Sequence, residues 1–152
     1  MKRSWKKLVL IVGLVLLVAI QLVPVDRSNP PVEADLDAPE AVTAVLRTAC
    51  YDCHSNETHW PWYSYVAPVS WLVAHDVEEA RGEFSFSRWG KLGELERAEL
   101  RKKIWEEVEE GEMPLAIYRF MHSGARLSQD QLDTLREWAT ASRGGETGSD
   151  GH

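Results

Sequence analysis

Cys50-Tyr51-Asp52-Cys53-His54 constrains this chain more than any other stretch, because a C-x-x-C-H run is the attachment sequence for a c-type haem. Two thiols add across the two vinyl groups of one porphyrin, and the two-residue gap sets their reach. The histidine that follows then stands beneath the iron, where its imidazole serves as proximal ligand. The chain holds 2 cysteines and both lie in the run. Other uses of such a pair are a redox-active dithiol, a surface disulfide or half of a metal site. A thioredoxin-like dithiol wants a βαβ context, and zinc wants a second ligand pair at similar spacing; neither is visible. Cys50 and Cys53 are therefore read as thioether attachments and His54 as the proximal axial ligand of one covalent haem c.

A haem held by one histidine needs a second axial ligand or an open position, and that choice decides function. Gly111-Glu112-Met113-Pro114 offers the best candidate. Gly111 stops a helix, Pro114 stiffens the backbone, and the Met113 thioether is free to reach the iron. Thioether ligation favours the ferrous state and raises the potential, which suits electron transfer. The competing role for Met113 is that of a flexible core side chain filling a gap. His75, on an expected helix near Trp71, is the alternative distal ligand of a bis-histidine site. His122 is weaker, and His59 lies too near the motif to cross the haem.

The N-terminus carries Lys2, Arg3, Lys6 and Lys7, then an uncharged run from Leu8 to Val25. As one helix that run spans ~27 Å, close to the hydrocarbon thickness of a bilayer. Residues 1–25 are therefore expected to form a single transmembrane signal-anchor, with the basic end cytoplasmic. A cleaved signal peptide fits less well, since Asp26-Arg27-Ser28-Asn29-Pro30-Pro31 offers no small-x-small site. This predicts a bacterial inner-membrane, single-pass protein whose remaining domain faces the periplasm or outer side, the compartment that haem attachment also favours.

Residues 26–36 read as a polar, proline-stiffened linker lifting the domain away. Asp37 with Glu40 forms a capping-box-like start, and Ala41, Val42, Val45, Leu46 and Ala49 follow helical spacing into Cys50. His59 to Pro68 is aromatic and broken by prolines, hence a loop. Val69–Ala80 reads as helix. Phe84–Trp89 alternates, which permits a short strand but suits a loop. Glu94–Glu110 is helical, with Ala98, Arg101, Trp105 and Val108 near one face and Leu100 and Ile104 beside it. Ser128 with Gln131 opens a last helix carrying Leu132, Leu135, Trp138 and Ala139. The expectation is an all-α, cytochrome c-like domain over residues 37–143 around one haem, then a disordered tail over residues 144–152. Any of the tryptophans is as suited to walling a haem as to plain core packing, and core packing is the commoner role.

The formal charge of −7 hides an asymmetry. Residues 1–29 hold five basic side chains and one acid, so residues 30–152 carry 12 basic and 23 acidic ones, a net of −11. Such a domain repels phosphates and is a poor nucleic-acid binder. Its field steers a basic redox partner protein, although ordinary solubility explains the charge equally well. No small-molecule substrate is evident, and no constellation such as G-x-S-x-G supports an enzyme.

Taken together, Cys50-Tyr51-Asp52-Cys53-His54-Ser55-Asn56, His59-Trp60-Pro61-Trp62-Tyr63, Val66-Ala67-Pro68 and Trp71 resemble the bacterial haem-binding domain family of small, membrane-anchored c-type cytochromes. The resemblance continues through His75-Asp76-Val77, Phe84-Ser85-Phe86-Ser87-Arg88-Trp89, Gly111-Glu112-Met113-Pro114, Tyr118, His122 and Leu127-Ser128, and spans roughly residues 40–140. It implies covalent haem and a cytochrome c-like helical fold. The expected function is a monohaem carrier of single electrons. The alternative is a haem-based redox or gas sensor in which Met113 is displaceable.

Overall fold

The computed structural model describes residues 2–141. Its α-helices are α1 (Lys2–Ile20), α2 (Glu40–Ala49), α3 (Tyr51–His54), α4 (Val69–Glu83), α5 (Glu94–Glu109), α6 (Ala116–Met121) and α7 (Gln129–Thr140). Short 3-10 turns run over Trp62–Tyr65, Phe86–Lys91 and Ser123–Ala125, and no strand occurs among the described residues. The all-helical expectation stands. The expected tail over residues 144–152 lies outside the described residues.

The core grows from α2. Val42, Val45, Leu46 and Ala49 recur at helical spacing and all are buried. Val42, Val45 and Leu46 meet Ile104 of α5, Leu135 and Trp138 of α7, and Tyr51, Phe86 and Trp89 in one cluster. Tyr51 stacks on Phe86 at 4.8 Å, and Trp89 reaches Trp138 at 5.9 Å. Each fully buried side chain of this size contributes about 1.5–3 kcal/mol through the water it leaves. On α5, Ile104 and Val108 are buried while Ala98 is exposed, so its inward face is narrower than the spacing suggests. Ser128 caps α7 through a full capping box with Gln131, as expected.

One helix start differs from expectation. Asp37 does not cap α2; Pro39 occupies that position without a side-chain hydrogen bond, and Thr43 closes the turn onto the Ala38 and Pro39 carbonyls. The haem motif stands at the C-terminal end of α2, as its spacing indicates. Cys50 breaks that helix at φ −125°, and the motif forms its own turn in which the Cys53 and His54 amides return to the Cys50 carbonyl.

The N-terminal expectation is overturned. Helix α1 ends at Ile20, and the next amides, Gln21, Leu22 and Val23, bond only three residues back, to Val18, Ala19 and Ile20. Gln21 then turns onto the domain, its Nε2 donating to the Ala67 carbonyl while its Oε1 accepts from the Ala67 amide. The apolar part of the helix is thus Leu8–Ile20, about 20 Å at 1.5 Å per residue, short of a ~30 Å hydrocarbon core. No helix among the described residues is long and apolar enough to cross a membrane. Both the transmembrane helix and the single-pass inner-membrane placement that depended on it are withdrawn.

Residues 26–36 are not a free spacer. Arg27 donates to the Ser64 carbonyl, Asn29 to Thr58, and the Glu33 and Ala34 amides to the Ser87 carbonyl. Glu33 also pairs with Lys91. The Gly90 amide bonds Ala34, so close that a Cβ at residue 90 stands 3.0 Å from the Ala34 Cβ. The segment is strapped along the domain, over the turn that follows α4.

Candidate functional site

Helix α2 delivers the motif, and α4, α5 and the turn before α6 close a cavity around it. The cavity is about 440 Å³. Cys50, Cys53, His54 and Met113 all line it, with Ala49, Phe84, Phe86, Ile104, Val108 and Leu115 as apolar wall. His75 does not line it. That side chain is exposed on α4, 3.8 Å from Glu79, although Glu79 and its neighbour Asp76 both line the cavity. His59 is exposed beside Asp52. His122 stacks on Tyr118 at 4.1 Å outside the lining.

His54 is held on two sides. Its Nδ1 lies 3.1 Å from the Ala80 carbonyl near the end of α4. A carbonyl only accepts, so Nδ1 carries the proton and Nε2 keeps the lone pair that a metal needs. The Phe84 ring stacks on the imidazole at 4.2 Å and 10°, which fixes its plane. Burial holds the imidazole below its ordinary range, outweighing the backbone hydrogen bonds from Phe84 and Ala80 that raise it. The ring is therefore neutral, the form that ligates iron.

The thiols behave oppositely to a redox pair. Burial pushes the Cys50 thiol up to about 12, with Cys53 adding to it. Burial, then Asp52 and Asp76, push the Cys53 thiol up to about 11. A reactive dithiol depends on a lowered value, so the redox-motif reading loses its physical basis. Among the described residues no group of three or more His, Cys, Asp or Glu side chains is arranged to hold a bare metal ion.

Met113 reaches the cavity because α5 ends sharply. Gly111 has φ +78°, a left-handed conformation that suits glycine, and the Met113 amide folds back to the Glu107 carbonyl at 3.0 Å. Met113 is half-buried and Pro114 fully buried. The donor set therefore fits a haem: two neutral thiols, one neutral imidazole of defined tautomer, one thioether and an apolar wall.

Several further side chains complete this site. Asp76, Glu79, Glu83 and Glu107 line the mouth, with Lys103 as the cation among them, 3.0 Å from Glu83. Burial raises the Asp76 carboxyl above its ordinary range. Arg81 follows the Ala80 carbonyl and donates to the Ser55 and Ser28 carbonyls, Asn29 and Thr58, locking motif, strap and loop together. Tyr118 donates to Asp52, within the motif itself, at 2.7 Å. The tryptophans, by contrast, do not wall the cavity. Trp89 and Trp138 are buried in the core, and Trp62 is exposed. Phe84 and Phe86 supply the wall instead, and the alternation at residues 84–89 was the available signal.

No curated protein and no solved structure matches this chain. A family model described as a haem-binding domain matches residues 15–141. The match takes in the motif, the strap and every element of the cavity, and the chain belongs to the haem-binding domain family.

Proposed function

We propose that this member of the haem-binding domain family holds one haem c through thioether bonds from Cys50 and Cys53, and that it passes single electrons between partner proteins. His54 and Met113 would hold its iron. One observation carries the reading: both thiols, an imidazole of fixed tautomer and a single thioether line the same apolar cavity. When bound, haem supplies a one-electron couple whose potential is raised by thioether ligation.

The chain's own residues do the rest. Ala80 and Phe84 hold the His54 ring in one plane and one tautomer. Ile104, Val108 and Phe86 exclude water from the ligated face, which disfavours the more highly charged oxidised state. If His54 and Met113 both held the iron, no position would be left for a substrate, and the role would be that of a carrier and not an enzyme.

A sensor is the second reading, and one observation favours it. Met113 lies on a turn, followed by α6, a helix with no fully buried residue. A ligand held by so light an element can be displaced. Measuring the midpoint potential and carbon monoxide binding on the purified holoprotein separates the two. A carrier gives a reversible one-electron couple and binds the gas weakly. Fast, tight binding to the ferrous protein overturns the carrier and supports the sensor.

A further inference from the structure

We propose that Tyr118 is a positioning residue, which latches the Met113 turn to the haem-attachment motif through its hydrogen bond to Asp52. The proposal rests on the reading of Met113 as distal ligand and names what decides how firmly it is held.

Asp52 is an anchored acceptor. Its Oδ1 accepts from the His59 amide at 3.0 Å and lies 3.2 Å from the His59 Nδ1, while the Asp52 carbonyl accepts from Thr58. The carboxylate is thus fixed by its own loop before Tyr118 arrives. Its free oxygen, Oδ2, takes the Tyr118 hydroxyl at 2.7 Å, part-buried and 66 residues distant in sequence. A hydroxyl donating to a carboxylate is among the stronger hydrogen bonds a protein makes. Burial, and then the bond to Asp52, both hold the Tyr118 phenol protonated and donating.

The element on the other end is weakly held. Helix α6 has no fully buried residue, and Ile117 and Phe120 are exposed at 61% and 74%. Apolar burial therefore does little to keep α6 itself on the cavity, whereas the turn before it is held by buried Pro114 and by the Met113 amide on the Glu107 carbonyl. Tyr118 is the side chain of α6 that lines the cavity together with Met113 and Leu115. Its ring is backed by His122 at 4.1 Å, with Tyr63 set edge-on to that imidazole at 6.2 Å. The latch thus joins the C-x-x-C-H segment directly to the segment carrying the distal ligand. Opening it leaves the thioether attachments and His54 untouched and frees only the Met113 side.

The test uses ferric holoprotein titrated with imidazole, which competes for the distal position. Loss of the weak long-wavelength band of sulfur–iron ligation gives the midpoint of displacement. Tyr118→Phe is expected to lower that midpoint by about tenfold or more, with haem content unchanged. Asp52→Asn is expected to fall between, because an amide oxygen still accepts the hydroxyl. Adding Tyr118→Phe to Asp52→Ala is expected to change nothing further, whereas a merely destabilising substitution adds its effect in both backgrounds. An unchanged midpoint in Tyr118→Phe, with the band present in the wild type, overturns the latch and leaves Met113 ligation standing. Absence of the band from the wild type overturns Met113 ligation itself, and the latch with it.

Discussion

Two half-buried thiols stand beside a half-buried imidazole, and among the described residues no three His, Cys, Asp or Glu side chains are arranged to hold a bare ion. At this scale the expectation is chemical: haem bonded through Cys50 and Cys53 stays with the protein in acidified acetone, and Cys50→Ala/Cys53→Ala releases it. Complete extraction from the wild type would overturn covalent attachment. Met113→Ala is expected to abolish the long-wavelength ferric band; if the band survives, Met121 is the sulfur ligand instead. That Cys50, Cys53, His54 and Met113 belong together was legible in the sequence from residue type and spacing, and one cavity holds all four. The groups that hold them were not. Ala80 acts through a backbone carbonyl, which any residue has, and Arg81 through bonds to four separate partners across the chain. Replacing Arg81 by Ala strands the Ser55 and Ser28 carbonyls and is expected to cost about 1–3 kcal/mol in urea unfolding. Arg81→Lys reaches fewer of these acceptors at once, and an Ala variant as stable as wild type refutes the clamp.

Among the elements, periodicity was a good guide where a helix buries one face against others. Helices α2, α5 and α7 follow their apolar spacing to within a residue or two, and the Ser128 cap is the one expected. Ser128→Ala is expected to cost about 0.5–2 kcal/mol, since it strands the Gln131 amide; thermal melting of the holoprotein measures it. Periodicity failed where tertiary contacts set an end. Helix α1 stops because Gln21 finds partners on Ala67, a residue 46 positions away that no local pattern reveals. The motif, by contrast, sits where the spacing puts it, at the C-terminal end of α2, with Cys50 starting a turn of its own. The strap over residues 26–36 was misread for a similar reason: its composition is that of a spacer, yet its hydrogen-bonding groups are taken up by Ser64, Thr58 and Ser87. Polar, proline-rich sequence states what a segment cannot bury, not where it lies.

For the molecule as a whole, charge and cavity meet on one surface. The mouth of the cavity is ringed by Asp76, Glu79, Glu83 and Glu107, with Lys103 engaged by Glu83. On the proposed carrier reading, an electron would leave where the haem comes nearest the surface, and a partner would dock over these carboxylates or receive the electron slowly. Charges of one sign around the exit steer a partner of the other sign and accelerate encounter at low ionic strength. Screening shortens the range of that field to about 10 Å at 0.1 M salt. The reduced holoprotein is therefore expected to pass its electron to a basic acceptor protein faster at low salt than at high salt. An acidic acceptor of matched potential shows the reverse dependence. Substituting Glu79→Gln together with Glu83→Gln flattens both dependences while leaving the midpoint potential within a few tens of millivolts, because the iron's ligands are unchanged. Stopped-flow mixing at several ionic strengths measures all three. If the basic and acidic acceptors respond to salt alike, the acidic ring is a solvated rim with no part in docking, and electron exit must be sought on another face.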